Sequence, residues 1–258
     1  MSDFFDDIAG LDFEQEQPTR QLPRIWWFNG IDAKTVRTNG EFYTKLDGCE
    51  SPWTVSNRFT DESGYSTPSL LWAPVYSREQ WYTGTKDDTI WLTHYEKGAR
   101  KYSEQLGFAA GINEPIILVT KGMVSRAIYG KGGVVEQFVK TIGAFATSQA
   151  KTTLPGWAFY IPMVAPTDKK GHPVYTETGK GSVVTLPVLN PKFGPTRDDL
   201  KALYVGKEML ELGAQIQREY KGWSEERRGN VAPDAQAAPP PPPRNVPQAI
   251  EEPPILPF

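Results

Sequence analysis

The chain has 258 residues, 39% of them hydrophobic and 23% charged, with a formal net charge of −3. That is the ordinary composition of a globular chain, with length for one large domain or two small ones. A single cysteine, Cys49, excludes the disulfide framework of small secreted domains. No run approaches the roughly 20 apolar residues of a membrane helix. The acidic start Met1-Ser2-Asp3-Phe4-Phe5-Asp6-Asp7 lacks the basic and apolar regions of a signal peptide, so a cytoplasmic setting is the expectation.

Charge is unevenly spread. Residues 1–19 hold six acids and no Lys or Arg, and residues 230–258 hold three acids and Arg244. Of the chain's 28 basic and 31 acidic residues, 27 and 22 therefore fall between them, a balance of +5. A basic body with acidic ends suggests polyanion contact by the body and a different task for the ends.

In chain order, residues 1–20 form an acidic arm in which Phe4, Phe5, Ile8, Leu11 and Phe13 fit one face of a short helix. Residues 21–229 form the folded body. Arg24–Phe28, Gly40–Lys45, Trp53–Phe59, Ser69–Tyr76 and Thr89–Tyr95 read as strands rich in aromatic and β-branched residues. Ile116–Thr120 and Met123–Tyr129 read as a strand pair, or one bent strand with Gly122 as a bulge. A helix is predicted from Val134 to about Thr147, with Val135, Phe138, Val139, Ile142 and Phe145 on one face. Trp157–Val164 and Ser182–Val188 read as strands around an exposed hairpin loop over 165–181. A last helix begins after Thr196, which stands in capping-box spacing with Asp199, and runs to about Tyr220. Many short strands with few helices predict a β-rich α+β fold, read here as an OB-like small barrel with added helices. A sandwich is nearly as compatible.

Residues 230–258 hold ten prolines, including the run Pro239–Pro243. They read as a disordered, semi-rigid Pro-rich tail. The tail closes on Glu251, Glu252, Pro253, Pro254, Ile255, Leu256, Pro257 and Phe258. Phe258 suits an apolar pocket and its carboxylate a cation on a partner, while Glu251 and Glu252 suit a basic rim.

This tip, on a low-complexity linker behind a folded body, resembles that of bacterial and phage-type single-stranded DNA-binding proteins. Leu256, Pro257 and Phe258 match the family's aliphatic-Pro-Phe end, with Glu251 and Glu252 as its acidic part. Two acids in place of a longer run, and a longer body, point to a divergent phage- or plasmid-encoded relative. The resemblance implies an OB-type body and a tip that docks replication, recombination and repair proteins.

Sequence-tolerant binding of single strands needs stacking rings beside cations. All eight tryptophans lie in the body. In a strand, Arg24, Trp26 and Phe28 share one face while Ile25 and Trp27 share the other. One face is then core and the other a stacking platform. Arg58-Phe59, Trp72 and Trp81 extend the candidate set, with Lys121, Arg126 and Lys131 as a second basic cluster. Gly130-Lys131-Gly132-Gly133 lacks Walker A spacing and reads as a tight turn. His94 and His172 do not stand in ligand spacing with each other or with Cys49. Glu219-Tyr220-Lys221 and Asp87-Asp88 are weak metal-site fragments.

The expectation is a non-catalytic single-stranded DNA-binding protein with no cofactor and no metal, compatible with homo-oligomerisation. The alternatives are an adaptor that docks partners through its acidic-hydrophobic ends, and a nucleic-acid-processing enzyme with a dispersed acidic metal site.

Overall fold

The computed structural model describes residues 22–28, 40–56, 64–84, 89–92, 94–150, 154–177 and 183–225. The predicted N-terminal arm, the Pro-rich tail with its tip, Asp87-Asp88 and Arg58-Phe59 lie outside them. The strands are β1 (Arg24–Phe28), β2 (Glu41–Thr44), β3 (Thr54–Ser56), β4 (Gly64–Thr67), β5 (Ser69–Gly84), β6 (Thr89–Leu92), β7 (Arg100–Ala109), β8 (Ile116–Lys121), β9 (Ile161–Val164), β10 (Thr176–Glu177), β11 (Val183–Val184) and β12 (Val188–Leu189). The helices are α1 (Gly122–Tyr129), α2 (Val134–Phe138), α3 (Ala144–Gln149), α4 (Arg197–Leu203) and α5 (Lys207–Glu219), with a π-helical segment, Val139–Gly143, joining α2 to α3.

Ten strands form one sheet in the order β12-β9-β5-β7-β8-β1-β2-β4-β3, with β6 attached to the far end of β5. Its pairs are antiparallel except β1 with β8, which run parallel. Among the described residues the path is open, ending on β12 and β3. β10 and β11 form a separate two-stranded ribbon.

Alternation along β1 separates the two faces of the sheet. Ile25 and Trp27 are buried in the core. Trp27 meets Phe42 edge-on at 4.8 Å and donates its indole N–H to the Thr185 carbonyl at 3.0 Å. This core face continues through Leu118, Gln105 and Trp72 by strand register, and α1 covers it, with Ser125 hydrogen-bonded to Ser103 at 2.6 Å. The opposite face is covered in part by α5 and the turn that follows it. Tyr76 donates its hydroxyl to the Gln217 carbonyl at 2.8 Å, and Arg78 lies 4.1 Å from the Trp223 ring.

Several sequence readings change. Met123–Tyr129 is helix α1 rather than a strand. Gly122, at φ 52°, turns the chain directly out of β8, and Val124, Ser125 and Ile128 fall on the buried side of the helix. The helix predicted from Val134 runs through Gln149, but Val139 is 57% exposed. Phe138 and Ile142 are buried as expected, Val135 and Phe145 pack half-buried against the core, and Val134 and Ala146 join the buried side in place of Val139. A four-residue repeat drifts around an α-helix of 3.6 residues per turn, and the wider π segment takes up that drift. The last helix is two: Gly206, at φ 85°, separates α4 from α5, and Tyr204 bridges to Phe159. The predicted cap is present, with the Thr196 hydroxyl accepting from the Asp199 N–H. The Asp199 carboxylate accepts in turn from the Thr196 hydroxyl and the Gly194 N–H, which holds its pKa below the usual carboxylate value.

Helix α5 docks through a bare backbone. A Cβ at Gly213 would fall 2.2 Å from the Trp157 indole nitrogen. Gly213→Ala should destabilise the fold by about 1–3 kcal/mol in denaturant titration. Gly156→Ala, where nothing lies within 4 Å of the added carbon, should leave stability unchanged.

Candidate nucleic-acid interface

Strand register places an aromatic and basic strip across the sheet face opposite the core helices. Side chains paired directly across adjacent strands share a face. Trp91 on β6 pairs with Tyr82 on β5, and Tyr82 with Arg100 on β7. Two residues along, Tyr102 pairs with Lys121 at the end of β8. In the next row, Glu104 pairs with Val119, Val119 with Trp26, and Trp26 with Tyr43 on β2. The strip thus crosses β6, β5, β7, β8, β1 and β2, about 24 Å at the usual strand spacing.

The rings contact one another along it. Tyr82, Trp91 and Tyr102 form a triad with centroids 5.1–6.4 Å apart. Lys121 Nζ lies 5.4 Å from the Tyr102 ring centroid, within cation–π range. Trp26 meets Tyr43 at 6.4 Å, and Phe28 meets Tyr43 at 5.2 Å. Gly64 makes room for Tyr43, since a Cβ there would fall 2.3 Å from the tyrosine hydroxyl. Tyr43, Phe28, Tyr82 and Tyr102 are buried and form the base of the strip. Trp26 and Trp91 are half-buried. Arg24, Arg100 and Lys121 supply positive charge on the same face.

Beneath the strip sits a buried carboxylate. Glu104, 1% exposed, receives two N–H groups of Arg78 on Oε2 at 2.7 Å and the Tyr102 hydroxyl on Oε1 at 3.0 Å. Arg24 stands 3.6 Å from the same Oε1.

The sequence-derived candidates separate accordingly. The structure brings Arg24, Trp26, Phe28 and Lys121 to one face. Trp27 and Trp72 are in the core, Trp72 fully buried with its indole donating to Gln105 at 2.9 Å. Neither leaves a ring face for a base. Trp81 points to the other side of β5 and meets the exposed Tyr95 at 4.8 Å. Arg126 is exposed on α1 and Lys131 in the turn before α2, both on the helix side. In that turn, the Gly132 N–H is taken by the Glu136 carboxylate of the same helix. Tyr43, Tyr82, Trp91, Arg100 and Tyr102 join the strip only through register, which links residues far apart in sequence.

Other chemistry-bearing groups are dispersed. The Cys49 thiol is pushed up to about 11 by burial, with Asp47 and Glu114 adding to the shift. His94 and His172 lie on the surface beside Glu96 and Asp168, and Glu219 ends α5. Among the described residues no group of three or more His, Cys, Asp or Glu side chains is placed to hold a metal ion. No family model, curated protein or solved structure matches the chain.

If the half-buried rings carry base stacking, Trp26→Ala and Trp91→Ala should each weaken oligo-dT binding by about 1–3 kcal/mol while the variants remain folded. Trp72→Ala should instead lower the melting temperature sharply, at about 3–5 kcal/mol for a buried aromatic. Calorimetry beside fluorescence titration separates the two effects.

Proposed function

We propose that the protein is a non-catalytic binder of single-stranded DNA that holds the strand by stacking and charge, and recruits DNA-processing partners through its C-terminal tip. The observation that carries this reading is the strip itself. Half-buried Trp26 and Trp91 lie on a base of packed aromatics, with Arg24, Arg100 and Lys121 on the same face. Stacking of this kind tolerates any base, because each base has a π-face, and cations along the strip meet the phosphates. A duplex keeps its bases stacked on one another and offers such a surface mainly its phosphates.

The tip supports the second half of the proposal. Glu251, Glu252, Ile255, Leu256, Pro257 and Phe258 combine long-range charge with a small apolar anchor and a terminal carboxylate. The Pro-rich segment before them is a spacer that separates recruitment from binding. Replication, recombination and repair proteins are the partners this reading names, and a cytoplasmic, phage- or plasmid-linked setting goes with it. The comparison with OB barrels is one of mechanism: a strand laid on the face of a curved sheet.

The test is titration of a fluorescent oligo-dT, beside a duplex of equal length, at several salt concentrations with tryptophan emission followed. Tight binding to the single strand, quenching and a linear loss of log affinity with log salt are expected. Absence of binding at low salt would remove the reading and favour an adaptor that uses only its termini.

A further inference from the structure

We propose that Glu104 is a positioning residue of the strip: it holds the Arg24 guanidinium where a backbone phosphate of a bound strand would sit. This rests on the single-strand-binding reading above.

The two arginines at Glu104 are held differently. Arg78 is largely buried, with a side chain 12% exposed, and places two N–H groups on Oε2. It also lies on the Trp223 ring and donates to the Trp223 carbonyl at 3.4 Å. Arg78 is therefore committed to the interior and to the turn that follows α5. The Arg24 side chain is 38% exposed and lies 3.6 Å from Oε1, beyond hydrogen-bond reach, while Tyr102 occupies that oxygen at 3.0 Å. Attraction to the carboxylate restrains Arg24 without using its N–H groups on that atom. A guanidinium carries five donors in a planar fork, so one edge can face Glu104 while another meets a second oxyanion.

Geometry puts that second oxyanion on the strip. Arg24 precedes Trp26 by two residues on β1 and so shares its face. The Glu104 row passes through Val119 to Trp26 itself. A base stacked on Trp26 would bring its flanking phosphate to the Arg24 side of the ring. The same carboxylate orients Tyr102, the ring on which Lys121 rests and against which Trp91 packs. One buried anion thus fixes a cation and an aromatic taken from strands that are not adjacent.

The experiment uses the full chain and oligo-dT. Arg24→Gln should make the log–log salt slope shallower by about 0.7, the increment for one single-strand phosphate contact, with the amplitude of tryptophan quenching retained. An unchanged slope would overturn the phosphate role. Glu104→Gln, which keeps the side-chain volume and an acceptor for Arg78, should weaken binding about tenfold in the Arg24 background and less than about twofold in the Arg24→Gln background. Equal weakening in both would show that Glu104 acts only through the fold, and the proposal fails. Should Glu104→Gln not fold, Arg24→Lys decides the matter. An ammonium keeps the charge but cannot present two edges, so its affinity should drop toward that of Arg24→Gln. Wild-type affinity in Arg24→Lys would contradict the proposal. A wild-type chain that binds no oligo-dT removes the single-strand reading itself, whereas failure of the variants alone leaves that reading standing.

Discussion

A carboxylate buried inside a sheet must be met by cations and donors, because an uncompensated charge in the interior is costly. Glu104 is that carboxylate, in the middle of β7 and central to the ten-stranded sheet. Its partners come from three directions: Arg78 from β5, Arg24 from β1, and Tyr102 from its own strand. Arg78 extends the link to Trp223, in the turn that follows α5. The arrangement ties the sheet's register, the docking of α5 and the posture of the aromatic strip to one anion. A shift of β7 by one residue would turn Glu104 to the helix side, away from both arginines, so the ion cluster also specifies register.

The sheet then divides labour between its faces. Tryptophans with their indole N–H groups satisfied inside, Trp27 by Thr185 and Trp72 by Gln105, build the core beneath α1. Trp26, next in sequence to Trp27, goes to the opposite face by strand alternation alone. Packed tyrosines there stiffen the platform: Tyr43, Tyr82 and Tyr102 are buried while Trp26 and Trp91 remain partly accessible. In the single-strand reading proposed above, locked rings would lower the side-chain entropy lost on stacking a base.

The β-rich character and the two-faced reading of Arg24–Phe28 were legible in the sequence, as was the cap at Thr196. Strand β7 was not. Its polar stretch Ser103-Glu104-Gln105 hides a strand buried on both faces, because each polar group is answered from elsewhere: Ser103 by Ser125, Glu104 by Arg78, and Gln105 by Trp72. Those partners lie 22 to 33 residues away along the chain, beyond any local pattern. The strip was half legible for the same reason. Arg24, Trp26 and Phe28 announce themselves by spacing, but Tyr82, Trp91 and Arg100 join them only once β5, β6 and β7 are in register. Arg126 and Lys131 looked equivalent to Lys121 in sequence. They part from it at Gly122, where the strand turns into a helix and carries them to the other side.

In the binding mode proposed above, a single strand lies along the face marked by Trp26 and Trp91. Ultraviolet crosslinking of an oligo-dT to the full chain, with the crosslinked residues mapped by mass spectrometry, tests it most directly. Crosslinks confined to β1 and the β5–β7 end of the strip, at Trp26, Trp91 and their ring neighbours, are the result the account requires. Crosslinks clustered on the helix side, around Arg126 and Lys131, would contradict it.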